Sequence, residues 1–491
     1  MAPNVIPGYY WDEKKRRYFK VEKGGTAPTD AAWSADNVKK RKLEDAASVD
    51  ALRKLNLNKN RIVRSRAANQ ALMGGFFARE CGDMDRDQPT AAFAHGLVER
   101  GMIPLADPAW RSNTNVKHMF VAGKGHKNDL CTAYATLDEH TVLSTYVPRD
   151  GKGGKIHRRL ISHHIDVPTH IRPNREIAVR QISDIKYSEK AHRILVASRS
   201  PSSEVSTMIF APKRTKSDDA RPSWLIGENG TTLYMNVRAY GDHTYNDYAA
   251  NVVCPAPRGN EYMFMVGSSR GLLHCGVDMA MGWSSPWGPG HYYSNSDKYR
   301  DIFAVDFQPD HPKVVLCGGR PGYLFAGDTR QYANSWGRVD LGSTITHVKA
   351  ISEYQVLVSG LRNMLCVYDL RYTCYASRIK GNLNSSGNLA MPLFKVDQYK
   401  NAAHVNIGLD VDRASHIVAA AHDDGKVALY STRTGKRLKS RHIDQIHSSH
   451  GAIHCVQFEP FPTDVTPTLF VGEQSNIRAY SFGVDNLEDE A

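Results

Sequence analysis

The C-terminal half of the chain repeats one pattern of short apolar runs and turns. Each copy has a strand, a turn, an apolar strand, a second turn and a further strand. The four clearest copies are DIFAVDFQPDHPKVVLCGGRPGYLFAGDTR (Asp301 to Arg330), THVKAISEYQVLVSGLRNMLCVYDLR (Thr346 to Arg371), HVNIGLDVDRASHIVAAAHDDGKVALYSTRTGK (His404 to Lys436) and HCVQFEPFPTDVTPTLFVGEQSNIRAYSFG (His454 to Gly483). A repeat of roughly 40–45 residues with four strands is typical of a β-propeller blade.

Weaker copies precede these four. They are VKHMFVAGKGHKNDLCTAYA, ISDIKYSEKAHRILVASRS and NVVCPAPRGNEYMFMVGSSRGLLHCGVD. A sheet that is apolar on both faces cannot be stable alone and must stack on its neighbours. We therefore predict an all-β WD-repeat β-propeller over residues 84–491, with seven blades as the natural count. The loops of such a ring collect on two faces, which favours the binding of other macromolecules.

The chain of 491 residues has a net charge of +12, and much of this excess lies near the N-terminus. Residues 1–70 hold 16 Lys and Arg against 8 Asp and Glu, and residues 147–180 hold 8 against 3. Residues 1–75 are predicted to form a basic arm, helical or unstructured, because helix formers there lack a sustained apolar face. This charge also allows a nucleic-acid partner.

A basic cluster within the arm is of the type that directs nuclear import or contacts phosphate: Lys39, Lys40, Arg41 and Lys42. A solvated helix face remains an equal interpretation. No run approaches the roughly 18 apolar residues that span a bilayer, and the N-terminus lacks the apolar region of a signal peptide. Eight scattered cysteines form no C-x-x-C pair. We expect an intracellular protein with reduced thiols and no membrane partner, in the nucleus and secondarily in the cytoplasm.

Catalytic motifs are weak. Gly267 to Gly271 (GSSRG) fits G-x-S-x-G in letters, but an apolar run follows at once where a nucleophile elbow needs a helix, so an inter-strand turn is predicted. His450 and His454 are predicted to share one face of a strand, without the helical geometry of H-E-x-x-H. The histidines His163, His164 and His170 lack further ligands at metal spacing. We expect no enzyme, no cofactor and no metal.

The sharpest local motif is a possible docking box in the second clear repeat. Val358-Ser359-Gly360 precedes a strand that ends in Tyr368-Asp369-Leu370-Arg371. This resembles the adaptor-docking box of WD-repeat substrate receptors of cullin-RING ubiquitin ligases. The resemblance implies that Arg371 donates hydrogen bonds to the ligase adaptor, with Tyr368 and Asp369 as parts of the box. An ordinary strand-end Asp paired with Arg is an equally good interpretation.

A second box lies one repeat earlier, where Asp328-Thr329-Arg330 ends a strand. Tandem boxes are common in this family, which implies that Asp328 and Arg330 take part as well. The second box has Gly327 where the family prefers Trp or Tyr. Leu361 similarly replaces the usual turn residue of the first box.

The segment PGYYWDEKKRRYFK (Pro7 to Lys20) resembles a motif that opens the type-four class of cullin-four-associated factors. Its aromatic residues could anchor a peptide that docks in a groove, or pack against the propeller itself. They are Tyr9, Tyr10, Trp11, Tyr18 and Phe19. The resemblance implies a substrate receptor whose partners are the ligase adaptor, the cullin complex and an unknown substrate. A chromatin- or nucleic-acid-associated nuclear scaffold is the alternative.

Overall fold

The structure is a computed structural model of the chain. It describes residues 8–12, 15–22, 33–44, 47, 87–105, 115–123, 130–150, 154–156, 174–178, 181–199, 207–210, 224–226, 235–236, 248–277, 281–284, 301–331, 336–371, 390–396, 398–462 and 464–483. The chain divides into two compact units, Met1–Asp83 and Met84–Ala491. The described residues do not include His163, His164 and His170, nor most of the basic residues 147–180.

The first unit contains a hairpin and a helix. Strands β1 (Tyr9–Asp12) and β2 (Arg17–Lys20) pair antiparallel, and Tyr9 lies opposite Lys20. A helix covers residues 35–44. The arm was predicted to be helical or unstructured, so the hairpin is a feature that the sequence pattern did not indicate. Its strands are only four residues long, and alternation over so short a run gives little signal.

The second unit is built from seven four-stranded antiparallel sheets among its described residues. Sheet 1 contains β4 (His118–Ala122), β5 (Leu130–Thr136), β6 (Thr141–Pro148) and β7 (Asn174–Ala178). Sheet 2 contains β8 (Ile182–Ser188), β9 (Arg193–Ser198), β10 (Thr207–Phe210) and β11 (Met235–Asn236). Sheet 3 contains β12 (Ala250–Pro255), β13 (Phe264–Ser268), β14 (Gly271–Cys275) and β15 (Met281–Trp283). The three weak repeats thus each gave one sheet.

The clear repeats gave the remaining sheets. Sheet 4 contains β16 (Ile302–Phe307), β17 (Val314–Gly319), β18 (Tyr323–Asp328) and β19 (Gly337–Asp340). Sheet 5 contains β20 (Ile345–Ala350), β21 (Gln355–Gly360), β22 (Met364–Asp369) and β23 (Phe394–Lys395). Sheet 6 contains β24 (Leu409–Asp412), β25 (Ile417–Ala421), β26 (Val427–Ser431) and β27 (Arg437–Leu438). Sheet 7 contains β28 (Cys455–Glu459), β29 (Thr468–Glu473), β30 (Asn476–Phe482) and, from early in the chain, β3 (Leu97–Pro104).

The first strand of each sheet lies innermost, and these seven strands contact one another in a closed cycle from β4 to β28 and back. The fold is therefore a β-propeller, as the repeats predicted. The ring closes through β3, which pairs antiparallel with β30. Closure of this kind leaves no long unpaired sheet edge. The sequence pattern did not indicate which sheet closes the ring.

The hydrophobic core lies between neighbouring sheets. Strands such as Ile417–Ala421 are buried along their whole length, because both faces of the sheet pack on a neighbour. One cluster joins Leu316 of sheet 4 to Val356 of sheet 5, and the next joins Leu365 of sheet 5 to Ala420 of sheet 6. The described part of this unit also contains the helix Gln88–His95 and the 3-10 helix Ile443–Gln445. Stacking of two-faced sheets explains why the strands read as continuous apolar runs.

Polar side chains tie the inner strands together at one level of the ring. This polar girdle consists of Asp306, Lys349, Asp410 and Gln457, one each from β16, β20, β24 and β28. Asp306 accepts a hydrogen bond of 2.8 Å from the Ala350 amide. Lys349 Nζ donates to Asp410 Oδ1 at 2.9 Å, and Asp410 Oδ2 accepts from the Phe458 amide at 2.8 Å. Each of these bonds joins one sheet to the next.

Gln457 continues the girdle from sheet 7 to sheet 1. Its side-chain oxygen accepts from the Val121 amide at 2.7 Å, and its side-chain nitrogen donates to the Val121 carbonyl at 2.8 Å. Buried backbone groups need partners when strands of different sheets do not form a continuous ladder. The girdle supplies these partners along the inner edge of sheets 4, 5, 6, 7 and 1.

Candidate functional site

The two boxes form the same local structure, which we call the Asp-x-Arg corner. We number the corners in chain order, so the first is that of Asp328 and Arg330 in sheet 4. There Arg330 Nε donates to Asp328 Oδ1 at 2.9 Å and Arg330 Nη2 donates to Asp328 Oδ2 at 2.5 Å. In the second corner, in sheet 5, the matching bonds from Arg371 to Asp369 measure 3.0 and 2.6 Å. In both corners the arginine amide also donates to the aspartate, at 2.9 and 3.0 Å. Each carboxylate therefore fixes the backbone turn and the guanidinium together.

Both corners are charged and face solvent. The hydrogen bond from Arg330 lowers the pKa of Asp328 to about 2, and the bond from Arg371 lowers the pKa of Asp369. The arginine side chains remain 59% and 57% exposed, whereas the aspartates are 17% and 5% exposed. A guanidinium has five N–H donors, and the aspartate side chain takes two of them in each corner. The corners thus present fixed cationic donors at the surface.

The corners lie at the same end of the ring. Asp328 ends β18 and Asp369 ends β22, which are the third strands of sheets 4 and 5. The inner strands of these sheets contact each other. Because both sheets have the same antiparallel order, their third strands run in the same direction. The structure therefore places Arg330 and Arg371 on one face, in adjacent sheets.

An aromatic ring that the sequence pattern did not single out covers the second corner. The Tyr354 ring lies 4.7 Å from the Arg371 guanidinium carbon and is 40% exposed. A hydrogen bond with Tyr354, followed in importance by one with His311, lowers the pKa of the neighbouring carboxyl of Glu353. Tyr354 lies in the turn between β20 and β21, remote in sequence from the box. An exposed aromatic residue beside an arginine is a common interface anchor.

The first corner has its own aromatic cover, which explains Gly327. A Cβ on Gly327 would lie 2.0 Å from the Trp336 ring, so the indole occupies the space that a larger side chain at position 327 would need. Trp336 is 8% exposed and directly precedes β19. In the second corner Tyr368 is 3% exposed and belongs to the core between sheets 4 and 5. Both corners are thus backed by a buried aromatic residue.

Sheet 6 offers a comparison in which serine stands in place of the aspartate at the strand end. Its third strand, β26, ends in Ser431, and the Arg433 amide donates to Ser431 Oγ at 3.1 Å, as in the Asp-x-Arg corners. Ser431 Oγ donates in turn to Asp87 at 2.7 Å, which fastens the start of the helix Gln88–His95 to sheet 6. The same turn therefore forms with serine at the strand end.

The aromatic motif of the first unit packs against its own surroundings. Trp11 and Tyr18 lie across the hairpin with ring centroids 4.7 Å apart, and Phe19 stacks on Trp33 at 4.7 Å. Tyr10 accepts a hydrogen bond from Arg41. Tyr9 is 48% exposed. The motif is thus a folded hairpin, with Tyr9 as its most solvent-facing ring.

The basic cluster lies on the helix of residues 35–44, and all four of its side chains are exposed: Lys39, Lys40, Arg41 and Lys42. Arg41 lies 5.4 Å from the centre of the Tyr10 ring. This cation–π contact connects the cluster to the aromatic hairpin. In the sequence the two are separate motifs.

The G-x-S-x-G segment is the predicted inter-strand turn. Ser268 ends β13 and Gly271 begins β14. Ser268 Oγ donates to the Gly271 carbonyl at 2.8 Å and accepts from the Arg270 amide at 3.2 Å, so the hydroxyl closes the hairpin. The described residues hold no group of three or more metal-ligating side chains. The prediction that His450 and His454 share a strand is wrong, because β28 begins only at Cys455.

No helix in the described part of the chain is long and apolar enough to cross a membrane. Neither a protein-family model nor a curated protein sequence matches the chain. The β-propeller is consistent with a protein-interaction scaffold, and propellers are built to present loops for binding. The exposed groups of the propeller, above all the two Asp-x-Arg corners, are the features that bear on its binding function.

Proposed function

We propose that this protein is a WD-repeat substrate receptor that docks on the adaptor of a cullin-RING ubiquitin ligase through Arg330 and Arg371. The observation that carries the proposal is the pair of matching Asp-x-Arg corners in sheets 4 and 5, with arginines more than half exposed. The other face of the ring would then present the protein target for ubiquitin transfer. The resemblance of the N-terminal aromatic motif to the type-four class supports the same function.

The geometry of the corners suits docking. An isolated surface arginine loses rotamer freedom when it binds, which costs roughly 0.5–1.5 kcal/mol. Here the aspartate already orients the guanidinium through two hydrogen bonds, so much of that loss has occurred before binding. The planar fork can then donate its remaining hydrogen bonds to carboxylates or carbonyl oxygens of a partner. Tyr354 would add an apolar contact beside Arg371.

The test is co-purification of the adaptor and cullin with the full chain, compared with the variant Arg330→Ala/Arg371→Ala. We expect both partners to be lost from the double variant. Arg433→Ala is the matched control, since Arg433 occupies the same strand-end position in sheet 6, where Ser431 stands in place of the aspartate. Circular dichroism and thermal unfolding should show that all variants keep the fold.

Either of two results with the variants would contradict the proposal. One is undiminished co-purification of adaptor and cullin with the double variant. The other is equal loss with Arg433→Ala, because the effect would then belong to strand-end arginines in general. A wild-type chain that captures neither protein would also exclude the receptor function.

The exposed basic cluster supports a second function, residence in the nucleus with contact to nucleic acid. Lys39, Lys40 and Lys42 project from one short helix, and each phosphate contact would release counterions on binding. We expect replacement of the four cluster residues by alanine to move a fluorescently tagged chain from nucleus to cytoplasm. Binding of a DNA duplex should weaken steeply with salt. Nuclear signal and DNA affinity that are both unchanged in this variant would exclude any role of the cluster.

A further inference from the structure

A cavity of about 390 Å³ lies at the centre of the ring, and all seven inner strands contribute to its wall. Its volume is at the lower end of the roughly 300–1,000 Å³ typical of small-molecule sites. Cationic side chains predominate over acidic ones in its wall. The cations are Lys117, Lys186, Arg199 and Lys349, and the acids are Asp184 and Asp306.

The acids of the cavity already have partners. Asp184 accepts from the Val253 amide at 3.0 Å and pairs with Lys186 at 3.1 Å. Asp306, besides its bond in the girdle, pairs with Arg413 at 3.1 Å. Lys186 is thus paired within the wall, and Lys349 pairs with Asp410 of the girdle at 2.9 Å. Among the described residues, no carboxylate forms an ion pair with Lys117 or Arg199.

These two cations lie where the inner strands begin, at the end of the cavity away from the girdle. Arg199 directly follows β9, whose last residue Ser198 pairs with the first residue of β8, and Lys117 directly precedes β4. No described carboxylate lies within ion-pair distance of either. Asp301 interacts electrostatically with Arg199, but its ion-pair partner is Arg320, at 3.5 Å. In the described part of the chain, neither cation at this end of the cavity therefore has an ion-pair partner.

Two buried nitrogens at this end also have no hydrogen-bond partner among the described residues, Arg199 Nε and His118 Nε2. An unsatisfied buried polar atom costs free energy, and a native structure usually has a ligand, ion or water to satisfy it. The pKa of His118 is lowered to about 3, first by burial and then by Arg199 and Lys186. His118 is therefore neutral near pH 7 and can donate from Nε2 to an anion.

Arg199 also indicates the size of the occupant. Its Nη2 donates to Asn406 Oδ1 at 3.0 Å, which joins the end of β9 in sheet 2 to the segment before β24 in sheet 6. These sheets are three positions apart around the ring, so the bond spans this end of the cavity. A polymer could not enter past it without breaking it. The site favours a compact ligand.

We propose that this end of the central cavity binds a small phosphate-bearing anion through Arg199, Lys117 and His118. Phosphate oxygens match a guanidinium fork and an ammonium group, and charge-assisted hydrogen bonds of this kind are among the strongest in proteins. The ligand would join sheets 1 and 2 at the level of the ring opposite to the girdle. This site is independent of the Asp-x-Arg corners.

Isothermal titration calorimetry of the full chain with inorganic pyrophosphate tests the site. We expect saturable binding at one site, weakened on the order of tenfold or more by Arg199→Gln/Lys117→Gln. The matched control is Lys436→Gln/Arg433→Gln, which removes the same two kinds of charge from the exposed surface of sheet 6 and should bind like the wild type. If the cavity variant does not fold, His118→Phe removes one donor at similar shape and should also weaken binding.

The ligand's source is resolved by a second titration with glucose 6-phosphate. Tighter binding than pyrophosphate would indicate an organic phosphate, and weaker binding an inorganic one. The proposal is overturned if the wild type shows no saturable binding at about 1 mM pyrophosphate, or if the cavity variant binds as tightly as the surface control. Displacement of pyrophosphate by a single-stranded oligonucleotide would overturn the small-ligand assignment.

Discussion

The girdle makes a quantitative prediction about stability at Asp410. This side chain is 16% exposed and holds two partners at once, the Lys349 ammonium at 2.9 Å and the Phe458 amide at 2.8 Å. Its neighbours raise the pKa of Lys349, in spite of burial that lowers it, with Asp410 as the largest favourable contribution. Replacing Asp410 by alanine would leave a partly buried cation and a backbone amide without these partners.

Breaking a buried ion pair by removing one partner costs about 3–5 kcal/mol. Lys349 is 33% exposed, and Asp306 also interacts electrostatically with it. The loss of stability should therefore lie towards the lower end of this range. We expect Asp410→Ala to lower the free energy of unfolding by about 2–4 kcal/mol. Asp410→Asn keeps an acceptor for the Phe458 amide and should cost about 1–2 kcal/mol.

Urea unfolding followed by circular dichroism measures these differences. Lys349→Met combined with Asp410→Asn should cost at least about 1 kcal/mol less than the sum of the single changes, because each removes the same interaction. Arg437→Ala is the control, since its pair with Asp444 at 2.8 Å lies on the surface with 43% and 31% exposure. It should cost about 1 kcal/mol or less. Equal losses for Asp410→Ala and Arg437→Ala would refute the argument that the girdle holds the inner strands together.

Further predictions concern the histidines, the first corner and the ring closure. Burial, followed by neighbouring lysines or arginines, lowers the pKa of both His118 and His347 to about 3 from an unfolded value of 6.5. As pH falls, the histidines are therefore protonated in the unfolded state at a higher pH than in the folded state. The free energy of unfolding decreases between pH 6.5 and pH 3, by about 2 kcal/mol per histidine at pH 5. Urea unfolding at pH 7 and pH 5 should show a smaller decrease for His347→Gln than for the wild type. Gly327→Ala should displace Trp336 and destabilise by about 1–3 kcal/mol, with a shift in tryptophan fluorescence, and an unchanged spectrum would contradict the contact. Removing residues 1–104, which deletes β3, should lower the unfolding temperature far more than removing residues 1–83, and equal effects would contradict closure through β30.

The propeller could be predicted because its inner three strands are buried on both faces. Runs such as Val356-Leu357-Val358 and Val418-Ala419-Ala420 stand out from the turns around them. The outer strands gave no comparable signal. β23 and β27 are two residues long, and Phe394-Lys395 and Arg437-Leu438 each place one side chain in solvent. Short, half-exposed strands depend on the sheet they join, so their sequences need little apolar character.

Ring closure could not be read from the sequence for a different reason. β3 pairs with β30, near the opposite end of the chain. Its sequence, LVERGMIP, contains charge and glycine in the middle, and a register shift occurs between Glu99 and Gly101. Such a strand forms because it pairs with the free edge of β30, and its own sequence contributes little. No local period reports a partner so far away in the chain.

The candidate sites divide in the same way. The Asp-x-Arg corners are local, because Asp and Arg are two residues apart and their bonds close within one turn. The rings that cover them come from elsewhere in the fold: Tyr354 from the turn before β21 and Trp336 from the segment before β19. The cavity is less local still, since Lys117 and Arg199 belong to different sheets. Sequence spacing can predict the first kind of site and only packing reveals the second.

This locality bears on the two interpretations of the corners. As an ordinary strand end, the aspartate satisfies the turn amide and neutralises the arginine; as a docking element, the arginine must be fixed and accessible. The structure shows that one set of bonds meets both requirements, since Asp369 holds Arg371 while 57% of the arginine side chain stays exposed. The two interpretations are therefore not exclusive at a single corner. The two interpretations differ in the arrangement that they require. Docking needs two exposed arginines in adjacent sheets on one face, which the corners of Arg330 and Arg371 provide. A purely structural role would need only the turn, which also forms in sheet 6 with Ser431 at the strand end. Loss of adaptor binding in Arg330→Ala/Arg371→Ala with an unchanged unfolding temperature would therefore separate docking from a structural role.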